Sequence, residues 1–118
     1  MTGRKVGREL YNLSLKLVDA GVKKVVVGEI LKRVGDGIPV NMPEVNDEIK
    51  QANEYLLVTL HQQDKPELVF WRHKNVWNSQ LNIYDKDGVH MNKIGDERIY
   101  WSVRGAIFKF IREIKEKL

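Results

Sequence analysis

Asp87 and His90 stand three residues apart in the turn-prone stretch Asp87-Gly88-Val89-His90-Met91-Asn92. A backbone reversal at Gly88 folds the Asp87 carboxylate back onto one ring nitrogen of His90. That contact fixes the imidazole tautomer and stabilises the imidazolium that forms when the other nitrogen takes a proton. Such a pair is the orienter and base of a hydrolytic triad. The same residues also fit an ordinary Asp-Gly turn followed by a His that caps the next helix, since four-residue patterns recur by accident.

The elements that must position the pair are legible from periodicity. Ile99, Val103, Ala106, Ile107, Phe110, Ile111 and Ile114 recur at helical spacing, so His90 falls on a loop just before a long C-terminal helix. Upstream, Val6, Leu10, Leu13, Leu17 and Val18 suit a first amphipathic helix that Gly21 ends. Lys23 to Ile30 is a β-branched run with the composition of a strand buried on both faces. Arg33 to Pro43 reads as a loop, and Pro43 suits the first position of a second helix carrying Ile49, Ala52, Leu56 and Leu60. Pro66 then precedes a second strand, Glu67 to Trp71.

This order predicts an α/β fold with right-handed crossovers between parallel strands. Ligand sites in doubly wound sheets lie beyond the carboxyl ends of the strands. The loop from Arg72 to Lys86, which includes His73, therefore borders any pocket that His90 faces, with Trp77 and Asn78 as candidate substrate-binding residues. Trp77 equally suits burial against the core. Gly28 and Glu29, near the end of the first strand, reach the same edge.

From Asp87 onward the chain resembles the SGNH/GDSL hydrolases, serine esterases and lipases on a flavodoxin-like α/β fold. Their last block is D-x-x-H, an apolar residue, Asn or a similar polar residue, a Gly, and the closing helix; Asp87, His90, Asn92 and Gly95 match it. The run on to Tyr100-Trp101-Ser102-Val103-Arg104-Gly105-Ala106-Ile107 is similar to SGNH-type esterase domains of animal genomes, some in retroelement-derived reading frames. The resemblance implies a partial, doubly wound parallel sheet of about two strands and three helices, with the N-terminal half of the domain missing from residues 1–118. It implies catalytic roles for Asp87 and His90 on a small ester substrate.

The nucleophile has no counterpart. The chain holds neither the G-D-S motif that supplies the family's serine nor the G-x-N-D motif that supplies its oxyanion-hole Asn. Ser14 and Ser102 fall within helical patterns and Ser79 in a polar loop, none at the strand-to-helix turn that exposes a nucleophilic hydroxyl. Two readings follow. One is a C-terminal fragment of a serine hydrolase that is inactive alone. The other is a non-catalytic binding module for a protein or nucleic acid, acting through the basic C-terminal helix.

Composition narrows the rest. At 118 residues and 42% hydrophobic content the chain suits one small domain, and the family resemblance makes it an incomplete one. The absence of cysteine excludes disulfides, thiolate catalysis and cysteine zinc sites. His61, His73 and His90 show no ligand-like spacing on one element, so no metal is expected, and no cofactor motif is present. No secretory signal or membrane span is evident, which predicts a cytoplasmic or other intracellular protein. The net charge of +4, from 20 basic and 16 acidic residues, is dispersed; it suits a solvated surface better than a nucleic-acid footprint. Two apolar strands leave exposed edges, which favour self-association or pairing with another polypeptide.

Overall fold

Thr2 opens the first helix by accepting the Lys5 amide on its hydroxyl at 3.2 Å. Helix α1 runs Gly3–Asp19. It closes with paired bonds from Val22 N–H to the Leu17 carbonyl and from Gly21 N–H to the Val18 carbonyl, both 3.0 Å. Gly21 has a φ of +100°, the left-handed conformation that this closure needs and that a Cβ disfavours. The expected stop signal thus acts at its own position.

The computed structural model describes residues 2–33, 42–62, 65–74, 76, 83–84 and 90–116. After α1 come β1 (Val25–Gly28), α2 (Met42–Gln62), β2 (Leu68–Trp71) and α3 (Lys93–Glu116). The strands pair in parallel, Val25 opposite Leu68 through Gly28 opposite Trp71. The protein is therefore α/β, with three helices and a two-stranded parallel sheet among the described residues. Pro43 is the second residue of α2, where its missing N–H is still harmless.

Strand alternation sorts the side chains into two layers. Val25, Val27, Leu68 and Phe70 face α1 and α2, where Leu56 and Leu60 complete a core with Leu10, Leu15 and Val18. Val26, Gly28 and Trp71 face α3 instead. The expectation that the first strand is buried on both faces does not hold, because Val26 is 37% exposed. Two helices seal one face, whereas the single helix on the other leaves a gap beside β1.

Two asparagines on α2 fasten the chain that leaves β1. Asn53 accepts the Ile30 amide at 2.8 Å and donates to the Ile30 carbonyl at 2.9 Å. Seven residues earlier, Asn46 does the same for Arg33, at 2.8 and 2.7 Å. Each amide side chain supplies the donor and acceptor of a neighbouring strand, so the backbone groups of Ile30 and Arg33 are paired without one. Asn53 is buried, whereas the Asn46 pair faces solvent.

Replacing Asn53 with Ala strands both polar groups of Ile30, an expected loss of about 1–3 kcal/mol, against less than about 1 kcal/mol for Asn46→Ala. Urea unfolding of the two variants at unchanged m-value measures the difference, and equal losses would show that burial does not set the strength of these clamps.

Candidate functional site at the carboxyl edge of the sheet

The sequence of α3 requires it to cover the sheet with Ala106 and Phe110, and two contacts fix its direction. Trp71, the last residue of β2, donates its indole N–H to Ser102 Oγ at 2.9 Å. Lys24, which precedes β1, pairs with Glu113 at 3.3 Å. Helix α3 thus runs antiparallel to the strands, and its first turns project past their carboxyl ends. A second small core forms there, with Val76, Ile83 and Tyr84 packed against Leu31, Met91 and Ile99.

Asn92 holds the start of α3 in that core. Its Oδ1 accepts the Gly95 amide at 3.0 Å, making it the helix N-cap. Its own amide donates to the Ile83 carbonyl at 2.9 Å and its Nδ2 to the Tyr84 carbonyl at 3.3 Å. Met91 forms an antiparallel bridge with Tyr84, whose hydroxyl donates to the Lys32 carbonyl. A Cβ at Gly95 would overlap the Ile83 carbonyl and press on Met91, so only glycine allows this approach. Asn92 and Gly95 of the hydrolase-like pattern are therefore parts of a clamp.

The clamp decides where His90 sits. It lies in a bend immediately before Met91 and is exposed to solvent. The alternative in which His90 caps the next helix is excluded, because Asn92 takes that role. Asp87, Trp77, Asn78 and Ser79 lie outside the described residues.

Another polar group occupies the same edge of the sheet, nearer the strands. His73 Nδ1 and Ser102 Oγ are 2.7 Å apart. Since Trp71 donates into that Oγ, the simplest proton arrangement has the serine hydroxyl donating to Nδ1, with the proton of the neutral ring on Nε2. The backbone N–H of His73 donates to Glu29 Oε1 at 2.7 Å, where a regular ladder would use the Glu29 carbonyl. The His73 Nε2 lies over Gly28, 3.2 Å from where a Cβ would stand. Gly28 and Glu29 thus reach this edge as their position predicts.

The sequence puts His73 in the right loop but does not join it to Ser102. The two lie 29 residues apart on different elements, and no spacing rule connects them. Chemically the pair is not a nucleophile and its base. Ser102 sits in mid-helix, where backbone N–H groups are consumed by the helix itself and leave no donors for an oxyanion. Ser14 is buried and spends its hydroxyl on the Tyr11 carbonyl at 2.6 Å. The nine helical steps from Lys93 to Ser102 span about 14 Å, so His73 and His90 stand at different levels of α3.

Between α3 and the sheet runs an apolar groove of about 370 Å³, lined by Val26, Trp71, Ile107, Phe110, Ile111 and Ile114, with His73 and Lys24 also on its wall. No group of three metal-ligating side chains occurs among the described residues. No helix among them is long and apolar enough to cross a membrane. No family model, curated protein or solved structure matches the chain.

Burial lowers the pKa of His73 below its ordinary value, and the Glu29 carboxylate offsets this only in part. The neutral ring is therefore favoured by the fold. Its stabilisation is complete above the unfolded value of about 6.5 and fades as pH falls from there toward the lower folded value. Melting curves between pH 5 and 8 should show a decline on the acid side that His73→Gln flattens. An identical profile in the variant would place the proton-sensitive group elsewhere.

Proposed function

We propose that this chain is the C-terminal portion of an SGNH-type serine hydrolase, carrying the acid-base half of the triad in Asp87 and His90. The observation that carries the reading is the Asn92–Gly95 clamp, which presents an exposed His90 beyond the carboxyl edge of a parallel sheet. That edge is where α/β enzymes place their reacting groups. In the complete enzyme His90 takes the proton of a serine supplied from outside these residues as its oxygen attacks an ester carbonyl. Asp87 orients the ring and stabilises its charged form, and the acyl-enzyme is then hydrolysed.

The isolated chain lacks the attacking group. Removing a triad serine costs on the order of 10⁶ in kcat in a well-studied protease, and here the G-D-S and G-x-N-D motifs are both missing. Hydrolysis of p-nitrophenyl acetate should match the buffer rate, with His90→Ala unchanged from the parent. Rapid turnover that disappears in His90→Ala would overturn the proposed inactivity. The pair itself is tested by nitrogen-detected NMR, in which Asp87→Asn should alter the tautomer of His90; an unaltered ring would remove the triad reading.

A second reading, a non-catalytic nucleic-acid-binding module, is favoured by the solvent face of α3. Trp101 is 59% exposed and meets Tyr100 edge to face at 5.4 Å. The Arg104 guanidinium lies 5.1 Å from the Trp101 ring and 4.6 Å from that of Phe108. Exposed rings with an interleaved cation resemble the stacking platforms of single-strand binders. Titration with a single-stranded oligonucleotide at low salt should then quench tryptophan emission, reverse with added salt, and weaken about tenfold in Trp101→Ala. A flat titration would eliminate this reading.

A further inference from the structure

Among the described residues the outer edge of β1 is open, and it is self-complementary. Val25 and Glu29 donate their amides to Glu67 and Trp71 carbonyls of the β2 side, at 2.8 and 2.9 Å. In a parallel ladder the intervening residues turn their backbone groups the other way. The N–H and C=O of Val26 and Gly28 therefore point outward, with no partner among the described residues. Ile30, next in that series, is already satisfied by Asn53. The open stretch is short, two to three residues, and ends at a capped position.

We infer that this edge binds a second copy of the chain, β1 pairing antiparallel with β1 across a two-fold axis through Val26. The hydrogen-bond parity selects that register. With Val26 opposite its own copy, Lys24 falls opposite Gly28, so every outward-facing backbone group in the stretch meets another. Lys23 then stands opposite Glu29 of the second copy, twice in the dimer. Lys23 is exposed, with no partner among the described residues, and Glu29 uses only its Oε1 on His73. Lys24 brings no unpaired charge, since it is held by Glu113 and the Pro66 carbonyl.

Helix α3 rests on Trp71 of β2, and the apolar groove separates it from Val26 of β1. Ile107 and Ile111, 52% and 45% exposed in the single chain, line that groove, so the apolar groove of one copy would open toward that of the other. An isologous interface needs one patch that complements itself under rotation, and the β1 edge meets that condition in backbone and charge.

The chain has no cysteine, so Val26→Cys introduces a unique thiol at the axis. Hydrogen-bonded antiparallel partners have Cα atoms about 5.5 Å apart, within disulfide range. Mild oxidation should join Val26→Cys into a covalent dimer, while Val58→Cys, exposed on α2, remains monomeric. Sedimentation equilibrium of the parent chain should give twice 13.8 kDa. Lys23→Glu and Glu29→Lys should each raise the dimer Kd about tenfold or more, and mixing the two should restore association. A parent chain that stays monomeric up to its solubility limit, or Val26→Cys that cross-links no faster than Val58→Cys, would overturn the proposal. The dimer does not depend on the hydrolase reading, and its failure would leave His90 untouched.

Discussion

The position of everything after residue 90 depends on how Trp71 engages the last helix. Its indole donates to Ser102, and its ring meets Phe110 edge to face with centroids 5.8 Å apart. An aromatic pair in this geometry contributes about 0.5–1.5 kcal/mol beyond the area it buries. The hydrogen bond adds direction, because an indole N–H has one donor vector. Together they set the level of α3 along the strand, and Lys24, which pairs with Glu113 and lies 4.8 Å from the Phe110 ring, sets it again at the other end. With that level fixed, the N-terminal turns of α3 overhang the carboxyl edge and carry His90 with them.

The carboxyl edge is built mainly by side chains that replace backbone partners. Glu29 supplies the last rung of the ladder to His73. Asn53 and Asn46 serve as a strand for residues 30–33. Asn92 joins the 83–84 segment to the start of α3. Each substitution satisfies polar groups that a larger sheet would pair regularly, so two four-residue strands hold the described segments beyond their ends.

Much of this is legible in the amino-acid sequence. Helical periodicity locates all three helices, Gly21 marks a true end, a β-branched run marks the first strand, and Pro66 marks the start of the second. Asn92 and Gly95 stand out through a family resemblance, but their physical roles, a cap and a close approach, depend on residues 83 and 84 that no local rule connects to them. The one-sided burial of β1 is hidden because Val25, Val26 and Val27 are equally apolar; composition shows that a strand can be covered on both faces, not how many helices are present to cover it. His73 and Ser102 are unreadable as a pair for a related reason. Their meeting is a product of helix docking, which is set by Trp71 and Phe110.

The attachment of α3 also has a kinetic side. Only Gly95, Ala106 and Phe110 of its 24 residues are buried, whereas α1, α2 and the sheet share a continuous apolar core. Segments tied down by few buried groups open at lower free energy than the body that anchors them. Amide protons along this helix are accordingly the ones that solvent reaches by partial opening, while those of β1 and β2 exchange through fuller unfolding. A ring carried on such a segment shares its excursions.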